Sequence, residues 1–201
     1  GNATTKQVVE IVIKGHTSGG KCAYVQLIDS SGPPAFFISH TWHRPFAEFV
    51  HCLRERSKTL PPGTVIWMDI FAFNQHLAFE EMKADLGTLS STVQQTLKTL
   101  VVMDPEGICF TRIWCLKEFH EAIKAGGSGA QEAAAAAAAA APRGAKQSEG
   151  GAGKLELMPY CLKTDDSKKL AEIMYNIQVA RSTATKIEDK KTIVKEIEAH
   201  E

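Results

Sequence analysis

Three short apolar runs, residues 35–39, 64–70 and 99–103, alternate along the chain with stretches whose apolar side chains recur at helical spacing. This alternation most limits what the chain can fold into. Runs this short, with no polar residue at every second place, have no face to offer water and fit strands covered on both sides. After the first run, Phe46, Phe49, Val50 and Leu53 fall at i, i+3, i+4 and i+7, an amphipathic helix opened by Pro45, whose fixed φ suits a first turn. Residues 77–96 carry Leu86, Leu89 and Val93 on one face. Residues 111–125 read as a helix capped by Thr111 that buries Trp114 or Leu116, Phe119 and Ile123. Strands and helices in this order predict an α/β domain with a short parallel sheet and helices on both faces.

The flanks read differently. Residues 7–14 and 23–29 are rich in Val and Ile with Gly-rich punctuation between them, which predicts an N-terminal β-hairpin within residues 1–34. Residues 154–161 read as a further strand. Residues 165–180 read as a helix with Leu170, Ile173, Met174 and Ile177 on one face. Thr185 and Glu188 form a capping-box pattern ahead of a charged last helix that has Ile187, Val194 and Ile197 on one side. The expected organisation is therefore a hairpin extension over 1–34, an α/β domain over 35–125 and 154–182, and a C-terminal helix over 183–201 that leads into a further region. Residues 126–153, with glycines and an uninterrupted alanine run over 133–141, have little to bury and read as a surface insertion. The chain opens on Gly rather than Met and its last helix lacks a stop signal, as expected of a segment of a longer protein.

Formal net charge is +0, so no nucleic-acid surface or polybasic membrane patch is expected. No apolar run approaches the roughly 20 residues of a membrane span. The 5 cysteines are odd in number and form no Cys-x-x-Cys pair, which fits a reduced, cytoplasmic setting.

Ligands of open parallel sheets bind beyond the carboxyl ends of the strands. Here those places hold His40, Thr41, Trp42 and His43, then residues 69–76, then 104–111. Glu118 stands one helical turn from Trp114, so both can face one cleft. On an amphipathic helix alone, a solvated face is the leading reading of Glu118, and core packing that of Trp114. Asp69 at a strand end also fits a turn role, and Asn74 and Gln75 fit the satisfaction of loop backbone groups. His40 and His43 make two imidazoles without a third ligand at a known spacing, so no metal site is expected. Cys115 and His120, at i and i+5, share no helix face, and a buried structural thiol is the expected reading of Cys115.

Three segments resemble a known family. Phe36-Phe37-Ile38-Ser39-His40 is similar to the opening strand of Toll/interleukin receptor (TIR) domains, and residues 46–53 to their first helix. Thr111-Arg112-Ile113-Trp114-Cys115-Leu116-Lys117-Glu118 resembles the plant-type TIR helix that carries the catalytic glutamate. Residues 66–75, with Trp67, Asp69, Asn74 and Gln75, resemble the Trp-x-Asp…Asn-Gln signature of fungal heterokaryon-incompatibility (HET) domains, thought to be distant relatives. The loop after Asp69 departs from the TIR pattern in lacking a glycine before Gly87, and Ala72 and Phe73 stand where HET domains usually have Cys and Ile. The resemblance implies a flavodoxin-like three-layer fold and a signalling domain that self-associates or recruits similar domains. It also implies cleavage of NAD⁺ at the nicotinamide–ribose bond, with NAD⁺ as substrate and no bound cofactor. Glu118 would be the catalytic carboxylate. Trp42, Phe73 and Trp114 would offer ring-covering surfaces, Ser39 and Asp69 would lie at the pocket, and His40, His43 and Arg44 would face the diphosphate. A non-catalytic interaction module is the competing expectation.

Overall fold

The computed structural model describes residues 2–28, 32–78, 81, 87–127, 153–160, 164–184 and 187–199. Four strands, β1 (Phe36–Ser39), β2 (Ile66–Trp67), β3 (Lys98–Met103) and β4 (Leu155–Pro159), form one sheet in the order β2-β1-β3-β4. Every pairing is parallel, with Phe36 opposite Ile66, Ile38 opposite Leu100 and Leu100 opposite Glu156. The fold is α/β and compatible with the flavodoxin-like three-layer arrangement.

Successive strand residues point to opposite faces, and both faces are covered. Phe36, Ile38, Leu100, Val102 and Met158 pack on one side with Phe49 and Cys52 of helix α2 (Phe46–Ser57). Phe37, Val101, Met103, Leu155 and Leu157 occupy the other side. There they meet Leu89 and Val93 of α3 (Leu89–Gln95) and Cys115, Leu116, Phe119 and Ala122 of α4 (Ile113–Gly127). Helix α5 (Thr164–Tyr175) adds Ile173 to this second layer. The chain leaves β1 for its neighbour β2, then crosses back to β3 on the other side of β1. The carboxyl ends of β1 and β3 thus flank the point where the winding reverses, which is where open α/β sheets leave a crevice.

Several expectations change. Residues 7–14 are not a strand. Thr5–Val8, Val9–Ile13 and Lys14–Thr17 run on as one helix, α1, whose middle part is π-helical. Tyr24–Leu27 is a 3-10 turn, so the expected hairpin is absent from the described residues. The physical reason is tertiary. Thr5, Val9, Ile13 and Thr17 recur at i+4 and are buried, Val9 and Ile13 against Ile70. The π turn keeps that row in register, so packing overrides the β preference of Val and Ile.

The expected strand over 64–70 narrows to β2, because a helical turn, Asp69–Ala72, begins at Asp69. Thr111 caps nothing; its hydroxyl donates to the Ile108 carbonyl at 2.8 Å within the 3-10 turn Ile108–Thr111, and α4 starts at Ile113. Ile123 is 65% exposed and Ile187 68% exposed, while Ile193 and Ile197 of α6 (Ile187–Glu198) are buried on Ile113. Met174 is likewise outward-facing. The helical part of 77–96 is Leu89–Gln95; Leu86, Thr185 and residues 128–152 of the expected insertion lie outside the described residues. Among the described residues no helix is long and apolar enough to cross a membrane.

Phe37 is fully buried and stacks on Trp67 with ring centroids 4.5 Å apart. Phe37→Ala is expected to lower unfolding free energy by about 3–5 kcal/mol in urea titrations, whereas Ile11→Ala, at a solvent-facing place on α1, stays within about 0.5 kcal/mol.

Candidate functional site

A cavity of about 400 Å³ opens at the crevice above β1 and β3. Its walls come from the β1 exit (His40, Thr41, Trp42, His43), the β2 exit (Asp69, Phe73, Gln75), Arg112 just before α4, and the first turns of α4 (Trp114, Cys115, Glu118). Lys6, Glu10 and Lys14 of α1, Leu89 of α3 and Asp189 of α6 complete it.

Glu118 reaches this cavity because α4 lies on the Phe37 side of the sheet. Ser39 shares the strand face of Phe37, being two residues on, and so looks at α4. Its hydroxyl donates a short hydrogen bond to Glu118 Oε2. Glu118 is 9% exposed. Burial pushes its carboxyl well above the usual carboxylate range. The Ser39 hydroxyl opposes that shift and the negative charge of Asp69 adds to it. The site therefore favours the protonated form of Glu118. The neighbouring Cys115 thiol is also pushed well up by burial, and its Sγ lies 3.7 Å from the His40 carbonyl that accepts from it. This is an inert core thiol, as expected.

Asp69 anchors the loop side. Its Oδ2 accepts the Trp42 indole N–H at 2.7 Å, and its Oδ1 accepts the Ile70 amide at 2.7 Å. Trp42 is thereby fixed at the cavity wall, packed on Val9 and Ile13 of α1. His40 Nδ1 stands 3.8 Å from Asp69 Oδ1, beyond hydrogen-bond range. Burial lowers the proton affinity of His40 more than Asp69 raises it, so the imidazole is neutral and the pair is no ion pair. The ring stacks on Phe49 at 4.5 Å. His40 thus turns its ring to the α2 side of the sheet, as strand alternation from Ile38 requires.

The other expected site residues divide. Trp114 and His43 line the cavity. Phe73 lines it too, but its ring packs edge-on against Trp67 at 5.2 Å, so it offers a wall rather than a free stacking face. Arg44 stands apart from the cavity: Glu48 holds it at 2.6 Å and Glu106 at 2.9 Å, and it borders a smaller cleft beside Asp104 and Tyr160. Asn74 and Gln75 serve the backbone, donating to the carbonyls of Lys21 at 2.7 Å and Asp69 at 3.0 Å.

Sequence reading missed Lys6, Glu10, Lys14, Arg112 and Asp189. The first three recur at i, i+4 and i+8. That spacing identifies a helix face, but the Val/Ile content of the same stretch masks it. Lys14 and Glu10 pair at 2.8 Å. Arg112 lies just before α4, beside Thr183, whose hydroxyl accepts from it at 3.1 Å.

No family model, curated protein or solved structure matches the chain.

The Glu118 carboxyl makes a stability prediction with a definite sign. Its folded pKa lies above its unfolded value, so on raising the pH the unfolded chain loses this proton first. Stability therefore falls between the unfolded and folded pKa values and then levels off. Glu118→Gln removes that titration. Its Tm should be close to wild type near pH 4.5 and exceed it near pH 8 in calorimetric scans. A gap independent of pH would contradict the buried acid.

Proposed function

We propose that this chain is a TIR-like signalling domain that hydrolyses NAD⁺ at the nicotinamide–ribose bond, with Glu118 as the catalytic carboxylate. The observation that carries the reading is the position of Glu118 at an aromatic-walled cavity over the sheet's winding reversal, beside Trp42 and Trp114. The resemblance of residues 111–118 to the glutamate-bearing TIR helix supports it.

The chemistry asks little of the protein. Nicotinamide leaves as a neutral ring. The C1′–N bond breaks, its electron pair quenches the pyridinium charge, and the ribosyl fragment becomes oxocarbenium-like, as in glycoside hydrolysis. Water then adds to C1′ and releases a proton. A carboxylate facing C1′ or the ribose hydroxyls stabilises the developing cation. Burial raises the proton affinity of Glu118, and the substrate brings its own positive charge. The pyridinium favours the ionised carboxylate, so the anion is stabilised where the cation develops. Ser39, which hydrogen-bonds the carboxyl, keeps it aimed and favours the charged form. Trp42, locked by Asp69, and Trp114 supply flat apolar walls for the leaving ring.

Purified protein at high concentration should release nicotinamide from NAD⁺, read by chromatography. Glu118→Ala should lower the rate by at least about 10²-fold, a loss typical of a missing electrostatic group, with its fold intact by circular dichroism. An equally active variant removes the hydrolase reading. The free enzyme needs Glu118 ionised, so log kcat/KM should rise with pH, with a midpoint above the ordinary carboxylate range. Ser39→Ala should move that limb to higher pH, because it deletes the hydrogen bond that favours the anion.

The competing reading, self-association without turnover, draws on the consecutive exposed side chains Ile11 and Val12 on the outer side of α1. Sedimentation over a concentration series tests it; a strict monomer counts against it.

A further inference from the structure

A buried polar nitrogen without a partner costs more than a hydrogen bond gains, so native interiors rarely contain one. The His40 side chain is 2% exposed, and its Nε2 has no hydrogen-bond partner among the described residues. Strand alternation sends the ring to the α2 face, where it stacks on Phe49. A small cleft opens on that same face, walled by Pro45, Phe49 of α2 and Val102 of β3. His40 lines it too, together with Thr5 of α1 and Asp104 beyond β3. The Nδ1 atom is turned to Asp69, which is no part of this cleft. The two ring nitrogens diverge, so Nε2 points away from Asp69 and toward the cleft.

We propose that this cleft binds one internal water, which donates to His40 Nε2 and to the Asp104 carboxylate and accepts from the Thr5 hydroxyl. The cleft holds about 10 Å³, space for a single water and for nothing larger. Its polar walls supply the two to four partners that such a water requires. Thr5 is buried, and its hydroxyl also has no partner among the described residues. Asp104 is 3% exposed. It accepts the Glu106 amide at 3.1 Å and the Ile108 amide at 3.1 and 3.2 Å. A carboxylate has about four acceptor sites, so capacity for a further donor remains.

The water also decides where the imidazole carries its hydrogen. A neutral imidazole has one donor nitrogen and one acceptor. At 3.8 Å from Asp69 Oδ1, a hydrogen on Nδ1 is attracted to the carboxylate, whereas a lone pair there is repelled. The hydrogen therefore belongs on Nδ1, and the partner at Nε2 has to be a donor. Among the described side chains none supplies it, and a water does. Bound in the cleft, the water fixes this tautomer. His40 then turns an N–H toward Asp69, the residue whose Oδ2 accepts the Trp42 indole N–H at 2.7 Å. The water is thus a positioning group for the wall of the large cavity, although it sits on the α2 side of His40. It also ties α1 to the exits of β1 and β3. The assignment does not depend on any activity of the cavity.

Two measurements on the full chain test the site. Long-range proton–nitrogen NMR at neutral pH reads the His40 tautomer; the form with hydrogen on Nδ1 should dominate, with Nε2 at the shift of a hydrogen-bonded acceptor. A crystal structure should show one ordered water about 2.7–3.2 Å from His40 Nε2. Thr5→Val keeps the shape of the side chain and the amide that docks α1 on the Arg44 carbonyl, and it deletes one hydrogen bond of the water. It should raise the share of the Nε2–H tautomer about fivefold, the equilibrium equivalent of one lost hydrogen bond. It should also speed solvent exchange of the Trp42 indole proton, with circular dichroism unchanged. Thr5→Ser, which retains the hydroxyl, should stay with wild type in both. A dominant Nε2–H tautomer in the wild type, a side chain rather than a water on Nε2, or no ordered atom there, overturns the proposal. A tautomer share that Thr5→Val leaves unchanged overturns Thr5 as a partner of the water.

Discussion

One hydrogen bond joins the two parts on which this molecule depends: the Ser39 hydroxyl at the end of β1 and the Glu118 carboxyl on α4. A carboxyl buried at a sheet–helix interface is costly unless it is neutral or well solvated by dipoles. Here both remedies act in part. Burial favours the protonated form, and the hydroxyl satisfies one oxygen. Phe37 and Val101, on the strand face of Ser39, seat α4 closely enough for the contact. Aromatic packing beneath the cavity therefore sets the position of the acid at its floor.

The second constraint is the loop brace around Asp69. One carboxylate holds the Trp42 indole and the start of the Asp69–Ala72 turn, so the exits of β1 and β2 are tied together. The neutral His40 ring between Phe49 and that brace is a packing element and leaves the cavity face to the indole. Arg44 shows the same economy, tied to Glu48 and Glu106 outside the pocket. The loop after β1 thus sorts consecutive residues by direction: ring toward α2 for His40, cavity wall for Trp42 and His43, outside for Arg44.

Elements from both ends of the chain complete the cavity. Helix α1 covers Ile70 and carries Lys6, Glu10 and Lys14 to the wall. Helix α6 docks Ile193 and Ile197 on Ile113, an ion pair joins Lys117 to Glu196, and Asp189 comes with it. The α/β layers alone would leave the crevice open on these sides. Displacing either helix would change the charge around the site without touching Glu118.

Much of the layered core was legible in the amino-acid order, for a simple reason. Short apolar runs at β1 and β3 and the i, i+3, i+4, i+7 face of α2 report burial directly, and burial on both sides implies parallel strands with helices above and below. The carboxyl-end location of Trp42, His43 and Asp69 follows from that architecture. What the order of residues left open was direction and partnership. Val and Ile in α1 favour a strand locally, and only docking against Ile70 makes them helical. Arg44 and His40 carry the same chemistry as His43 on paper, but Glu48 captures one and Phe49 buries the other. Neither the raised proton affinity of Glu118 nor the convergence of Lys6 and Arg112 on one cavity can be read along the chain. Both arise when residues far apart in sequence exclude water from one another, and that exclusion exists only in the folded molecule.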